Sequence, residues 1–126
     1  MNQDTYDLGL AIRTAVLGEP YVETATRNVD DFSGPLHDLV TEYCWGAVWG
    51  RDVLPLKTRS MLTLAMLAIL NRPNELRAHI RGAFTNGVSR DEIREIFLQV
   101  AIYAGVPAAN ASVRIARETF AELDES

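Results

Sequence analysis

The sequence predicts an all-α fold of six or seven helices, and three observations carry that prediction. No stretch alternates strictly between apolar and polar residues, so strand signals are weak. Prolines and glycines recur where helices would begin and end. Ser89 lies three residues before Glu92, which is the spacing of a capping box, where each side chain satisfies a free amide at the helix start.

The first half of the chain contains three predicted helices and a loop. The first helix runs roughly from Thr5 to Val16 and closes at Gly18, because glycine tolerates the backbone conformation of a helix end. The second runs from Pro20 toward Arg27, since proline suits a first turn. The third begins at Pro35 and reaches residues 45–49, and residues 51–55 are predicted to form a loop.

The second half contains four more predicted elements. A fourth helix covers about Leu56 to Leu70 and ends before Pro73, because the residue before a proline disfavours helical angles. Asn74 is predicted to cap a fifth helix, which Asn86-Gly87 stops. A sixth helix runs from the capping box to about Ala104, and a last one from Pro107 toward Leu123.

Length and composition indicate one domain, residues 1–126, of ordinary globular balance, with 48% apolar and 23% charged residues. The net charge of -5 disfavours nucleic acid as a partner. Positive side chains nevertheless gather in the middle third, where they could meet an anionic small molecule: Arg51, Lys57, Arg59, Arg72, Arg77 and Arg81.

The single cysteine and the distribution of apolar residues indicate the redox chemistry and the cellular location to expect. Cys44 is the one cysteine, so an internal disulfide and a Cys-x-x-Cys pair are impossible. Neither a secretory leader nor an apolar run long enough for a membrane is apparent, and the expected location is the cytoplasm.

The predicted fourth and sixth helices are apolar around most of their circumference. Such helices need burial on every side. Either they form the central hairpin of the domain, or one of them faces another subunit. We therefore expect a homo-oligomer.

Glu75 and His79 lie four residues apart on the predicted fifth helix, so they share one face. A carboxylate beside an imidazole can orient the ring and raise its basicity, which suits proton transfer. The alternative is an exposed pair of little consequence. His37 is distant in sequence and is interpreted as a surface residue, and no third side chain has metal-ligand spacing.

Trp45 and Trp49 also lie four apart, and they either pack in the core or form the aromatic wall of a pocket. Gly46 between them favours the pocket, because glycine inside a helix usually marks the close approach of another group. Arg51 lies two residues after Trp49 and could bind a carboxylate through paired hydrogen bonds. Arg59, at the start of the fourth helix, lies where free amides favour anions, although a solvated helix start is the commoner case.

Several segments together resemble the γ-carboxymuconolactone decarboxylase family, across nearly the whole chain. They are Gly9 with Arg13, residues 16–19, the tryptophan-rich residues 41–51, residues 58–60 before an apolar helix, residues 75–81, 86–88 and 92–95, and residues 101–110. The resemblance implies a compact AhpD-like fold of six to seven helices with a buried apolar hairpin. It also implies a homo-oligomer, commonly a hexamer arranged as a trimer of dimers.

The activity that the resemblance implies is decarboxylation of γ-carboxymuconolactone to 3-oxoadipate enol-lactone and CO2, without a metal or other cofactor. The wider superfamily includes AhpD-type peroxidases with a Cys-x-x-Cys pair followed by a histidine. Here His79 stands at that histidine, while Arg72 and Glu75 stand at the cysteine positions, so dithiol peroxidase chemistry is not supported.

These considerations predict a role for each candidate side chain. His79 would donate a proton or stabilise an oxyanion, with Glu75 orienting it. Arg51 and Arg59 would hold the substrate's charged oxygens, and Trp45 and Trp49 would form a dry wall beside the leaving carboxylate. A non-catalytic oligomer of the same fold, or an enzyme acting on another lactone, acid or peroxide, remains an alternative.

Overall fold

The computed structural model describes residues Met1–Glu125, which divide into two compact units. The first is Met1–Pro55, and the second begins at Leu56. All of the regular structure within Met1–Glu125 is helical, which confirms the all-α prediction. Among these residues no helix combines the length and the apolarity that a bilayer crossing requires.

The first unit contains three α-helices and a π-helix: α1 (Gln3–Leu17), α2 (Glu19–Arg27), α3 (Gly34–Leu39) and the π-helix Val40–Val48. Asn2 caps α1 by accepting a hydrogen bond from the Thr5 amide at 3.0 Å. Gly18 ends α1 with φ 92°, a value that favours glycine. The sequence predicted the helical character of residues 40–48 but not the π geometry.

α1 packs along the π-helix at very short backbone separation. A Cβ placed on Gly9 would overlap the carbonyl oxygen of Thr41, and a Cβ on Gly46 would overlap that of Thr5. Only glycine fits these two positions, and the approach that they permit explains the glycine between the two indoles.

The second unit contains four α-helices: α4 (Leu56–Leu70), α5 (Pro73–Thr85), α6 (Arg90–Tyr103) and α7 (Val106–Asp124). Their core includes Leu64, Leu76, Ile80, Ile93 and Phe97, all almost completely buried. The predicted capping box at the start of α6 is confirmed, because Ser89 and Glu92 exchange both hydrogen bonds.

The predicted cap of α5 is wrong. The helix begins at Pro73, with Arg72 at the capping position, and Asn74 already lies inside the first turn. Proline without an amide hydrogen is well suited to the first helical position, so the helix begins two residues earlier than expected.

Both α4 and α6 bury one side in the core and expose apolar side chains on the other. Leu64, Ala68, Phe97 and Val100 are buried, whereas Ile102 is 81% and Tyr103 84% exposed. Further exposed side chains on these helices are Leu62, Met66, Ile69 and Leu98. The sequence raised two alternatives: both helices buried as a central hairpin, or one of them facing another subunit. Within one chain, neither helix is buried on every side.

Candidate functional site

The π-helix brings the two tryptophans into contact in the first unit. The Trp49 amide donates to the Cys44 carbonyl oxygen at 2.9 Å, which is the i to i+5 bond of a π-helix. The indole rings stack with centroids 4.6 Å apart and planes 30° from parallel.

Both indoles are buried, together with Val16 of α1. π-helical turns are rare and occur frequently at functional sites. The stacking confirms that the two tryptophans share a helix face, and their burial is compatible with both the core and the pocket interpretation.

Arg51 lies at the turn that follows the tryptophans. Its amide donates to the Val48 carbonyl oxygen at 3.1 Å, and this hydrogen bond forms a turn directly after the π-helix. The Arg51 side chain is exposed.

Arg59 lies in the first turns of α4 and is partly buried. Its neighbour Ser60 is fully buried and accepts a hydrogen bond from the Asn86 side-chain amide at 2.8 Å. This bond joins the start of α4 to the residue that ends α5. The sequence indicated Asn86 only as a helix stop, and its polar side chain beside a glycine gave no sign of this second contact.

Glu75 and His79 lie on α5 in different environments. The flanking residues Leu76 and Ile80 are buried in the core, His79 is partly buried, and Glu75 is exposed in the first turn. A carboxylate at that position is stabilised by the partial positive charge of the helix start. Orientation of His79 by Glu75 stays a prediction.

The two arginines on α5 pair with α7 rather than with Glu75. Arg77 donates to the Glu118 carboxylate at 2.7 Å, and Arg81 pairs with Glu122. All four side chains are substantially exposed, so each pair contributes at most about 1 kcal/mol. Both pairs link α5 to α7.

Cys44 does not have the environment of a nucleophile. Burial raises the pKa of its thiol above the ordinary value, and the positive charge of Arg13 only partly opposes this effect. The thiol therefore stays protonated near neutral pH. Within Met1–Glu125 no group of three or more His, Cys, Asp or Glu side chains is arranged to hold a metal ion.

The structure thus brings Trp45 and Trp49 together and places Arg51 at the next turn of the first unit. In the second unit, Arg59 lies on α4 and both Glu75 and His79 lie on α5, two helices that pack against each other. The sequence analysis gave Arg13 no role of its own. Arg13 shares a face of α1 with Gly9 and Val16, which are both buried. Its position on this apolar face is the sequence pattern that could have indicated a role for it.

Comparison with known proteins assigns these features to a family. The carboxymuconolactone decarboxylase family model matches residues 35–118. The 4-carboxymuconolactone decarboxylase of Acinetobacter baylyi is 43% identical over 122 residues, which cover 97% of this chain and 91% of that protein. The nitrosuccinic acid decarboxylase npaB of Metarhizium robertsii is 39% identical over 123 residues, covering 98% of this chain and 86% of that protein.

A third relative, an uncharacterized 15.0 kDa protein of Paracoccus denitrificans, is 33% identical over 87 residues, 67% of this chain and 64% of its own. The family match includes the tryptophan pair, Arg59 and the Glu75–His79 turn. The chain belongs to the carboxymuconolactone decarboxylase family.

Proposed function

We propose that this protein decarboxylates γ-carboxymuconolactone (4-carboxymuconolactone) to 3-oxoadipate enol-lactone and CO2, without a cofactor. The observation that carries the proposal is the near-complete, 43% identical alignment with a 4-carboxymuconolactone decarboxylase. The positive side chains in the middle third support it, because the substrate carries two carboxylates.

The chemistry explains why the substrate can supply its own electron sink. The bond between the γ-carbon and its carboxylate breaks, and CO2 leaves. The electron pair moves through the ring double bond to the lactone carbonyl and gives a dienolate. A proton then adds at the α-carbon, which yields the enol-lactone.

The protein must therefore hold two carboxylates, stabilise charge on the lactone oxygen and deliver one proton. Arg51 and Arg59 are proposed to bind the acetate arm or the developing oxyanion, because guanidinium forms strong paired hydrogen bonds with oxygen anions. Trp45 and Trp49 are proposed to exclude water from the leaving carboxylate, which favours its conversion to neutral CO2. The burial of both indoles supports this role.

His79 is proposed as the proton donor or oxyanion partner, and Glu75 as the residue that positions it. Partial burial of His79 supports the assignment, because a hydrogen bond to a developing charge is stronger away from bulk water. A single such donor contributes about 3–4 kcal/mol to transition-state stabilisation.

The direct test is to incubate purified protein with the lactone and follow its ultraviolet absorbance, with CO2 release as a second readout. We expect loss of substrate and formation of one equivalent each of enol-lactone and CO2. Absence of both at micromolar protein would refute the proposal and favour a non-catalytic oligomer of the same fold.

A second candidate reaction is decarboxylation of a nitro-substituted dicarboxylic acid, and the relative from Metarhizium robertsii favours it. Nitrosuccinic acid also loses a carboxylate from a carbon whose electrons a neighbouring group can accept. The value of kcat/KM for both substrates decides between them, and we expect the lactone to be preferred. Preference for nitrosuccinic acid would replace the first proposal with the second.

We propose that the active form is a homo-oligomer, a hexamer built as a trimer of dimers, with a second copy covering the exposed apolar sides of α4 and α6. A groove of about 390 Å³ between these helices supports the proposal, since it is lined mainly by apolar side chains, including Leu62, Ile69 and Tyr103. Covering such a surface is favourable at roughly 25 cal/mol per Å².

Sedimentation equilibrium tests the assembly of these 14.0 kDa chains. Ile102→Glu should dissociate the hexamer, whereas Asn110→Glu, at an exposed polar position of α7, should not. A monomeric wild-type protein would refute the assembly without touching the proposed reaction. We also propose that residues 1–126 act as one domain. We propose that the protein is cytoplasmic, and cell fractionation tests this location.

A further inference from the structure

A cavity of about 310 Å³ lies within the first unit. Neither tryptophan lines it, although its lining residue Val40 also packs against the cluster that contains Trp45 and Trp49. Its polar lining consists of Arg13 of α1, Asn28 after α2, and Ser33 and His37 at the start of and within α3. The remaining lining side chains are aliphatic, and none of the lining residues is acidic. His37 is partly buried, and its neighbours Leu36 and Asp38 are exposed.

The guanidinium of Arg13 has an unusual environment. Its Nε and Nη1 atoms are buried and have no hydrogen-bond acceptor among the residues that the structure describes. No carboxylate of Met1–Glu125 forms an ion pair with Arg13. Two of the three guanidinium nitrogens are therefore enclosed without an acceptor, while the Arg13 side chain as a whole is partly buried.

Two other groups of the first unit that could neutralise the positive charge of Arg13 are uncharged or engaged elsewhere. Burial raises the pKa of the Cys44 thiol, so this neighbour stays neutral near pH 7. The Asp30 carboxylate accepts hydrogen bonds from the amides of Phe32 and Ser33, at 3.0 and 2.9 Å, and does not line the cavity.

We propose that this cavity binds a small organic acid, with its carboxylate on Arg13 and its apolar body against the aliphatic lining. The third guanidinium nitrogen, Nη2, is not among these buried, unpaired atoms, and we assign to it the first contact with the carboxylate. The His37 imidazole and the Asn28 amide supply further donors at the wall. The volume matches the lower end of small-molecule sites, which suits one ring-sized acid.

Titration with sodium benzoate, followed by amide chemical shifts in two-dimensional NMR, tests the proposal independently of any turnover. We expect saturable shifts concentrated at residues 13 and 25–40. Benzamide, which has the same shape without the charge, should bind at least about tenfold more weakly, since a charged hydrogen bond outweighs a neutral one. Inorganic phosphate should also bind more weakly, because it has no apolar body; equal affinity for phosphate would overturn the assignment of the aliphatic lining.

Two variants and one control complete the test. Arg13→Gln should weaken benzoate binding at least about tenfold. Ala25→Leu, which fills the aliphatic part of the cavity, should weaken it similarly while retaining the charge. Arg27→Gln removes a positive charge from an exposed position outside the cavity and should leave binding unchanged.

Unchanged affinity in Arg13→Gln would overturn the proposal, as would shifts confined to residues 56–125. If Arg13→Gln does not fold, Ala25→Leu decides alone, and full benzoate affinity in that variant rejects the site.

Discussion

The backbone of Gly46, in the middle of the π-helix, lies directly against the carbonyl oxygen of Thr5 on α1. No side chain larger than hydrogen fits between them, because a Cβ on Gly46 would overlap that oxygen. This contact fixes the π-helix that carries Trp45 and Trp49 against α1. Packing of one backbone therefore determines where both indoles lie.

Gly46→Ala should destabilise the protein by about 1–3 kcal/mol or more, because a methyl group must push α1 and the π-helix apart. Chemical denaturation monitored by tryptophan fluorescence measures the change. Gly34→Ala is the matched control, since a Cβ there meets only the Val29 side chain, at 3.9 Å, an ordinary contact. Equal stability of both variants would show that the contact with Thr5 is not tight.

His79→Ala should lower kcat for the lactone at least about a hundredfold, because it removes a donor that acts on developing charge. The helix should persist, since alanine is the best helix former. Steady-state kinetics and circular dichroism measure the two effects. Asn74→Ala, exposed on the same helix, should retain wild-type turnover. Near-wild-type turnover of His79→Ala would remove this residue from the mechanism.

Glu75→Gln should lower kcat by less than His79→Ala and leave KM unchanged, because a positioning residue acts through the imidazole and not on substrate capture. Measuring kcat and KM separately distinguishes this role from a structural one. Glu75 is exposed, so global stability should change by less than about 0.5 kcal/mol. Wild-type kinetics of Glu75→Gln would contradict the positioning role, and Glu75 would then only stabilise the start of α5 through its charge.

Arg51→Ala should mainly raise KM, since its guanidinium is proposed to capture a carboxylate that the substrate keeps in the transition state. Its exposed side chain makes a large loss of stability unexpected. Initial rates over a wide range of lactone concentration measure the effect. Arg94→Ala, which removes an exposed arginine of α6 paired with Asp91, is the control. Unchanged KM and kcat would reject the role of Arg51.

The capping box gives a pH dependence of stability with a definite sign. The Ser89 amide, and then Lys57, hold the pKa of Glu92 below its ordinary value of 4.5. A lowered pKa means that the carboxylate stabilises the fold fully above pH 4.5, and that this contribution disappears as pH falls through the lower folded value.

Thermal unfolding of wild type and Glu92→Gln at several pH values measures this contribution, because glutamine keeps the capping geometry and removes the charge. The wild type should unfold at the higher temperature at pH 7, and the difference should vanish in acid. Glu95→Gln, exposed on the same helix, is the control. A difference that persists unchanged into acid would contradict the assignment.

Local signals predicted the helices well, because the interactions that end a helix lie within a few residues. The Ser89–Glu92 capping box, the stop at Asn86-Gly87 and the fourth helix from Leu56 to Leu70 agree with the structure. The prediction for Asn74 failed because two adjacent residues were both good helix starters, and the preference for proline at the first helical position prevailed.

Side-chain environments were less predictable. Periodicity places Glu75 and His79 on one face but does not determine how deeply each is buried. Arg77 and Arg81 could have paired with Glu75, and their partners on α7 are 41 residues distant in the chain. An ion pair at that separation depends on how two helices pack, which no short sequence pattern specifies.

The sequence by itself determined the helical class, most of the helix ends and the candidate residues, since each depends on local preference or on side-chain chemistry. Only the tertiary structure decided the π-helical turn, the stacking of the two tryptophans and the enclosure of Arg13 beside a cavity. The stacked tryptophans lie on a π-helix that packs against α1 at glycines where even one Cβ would not fit. Close packing between segments distant in sequence is the physical reason for the difference.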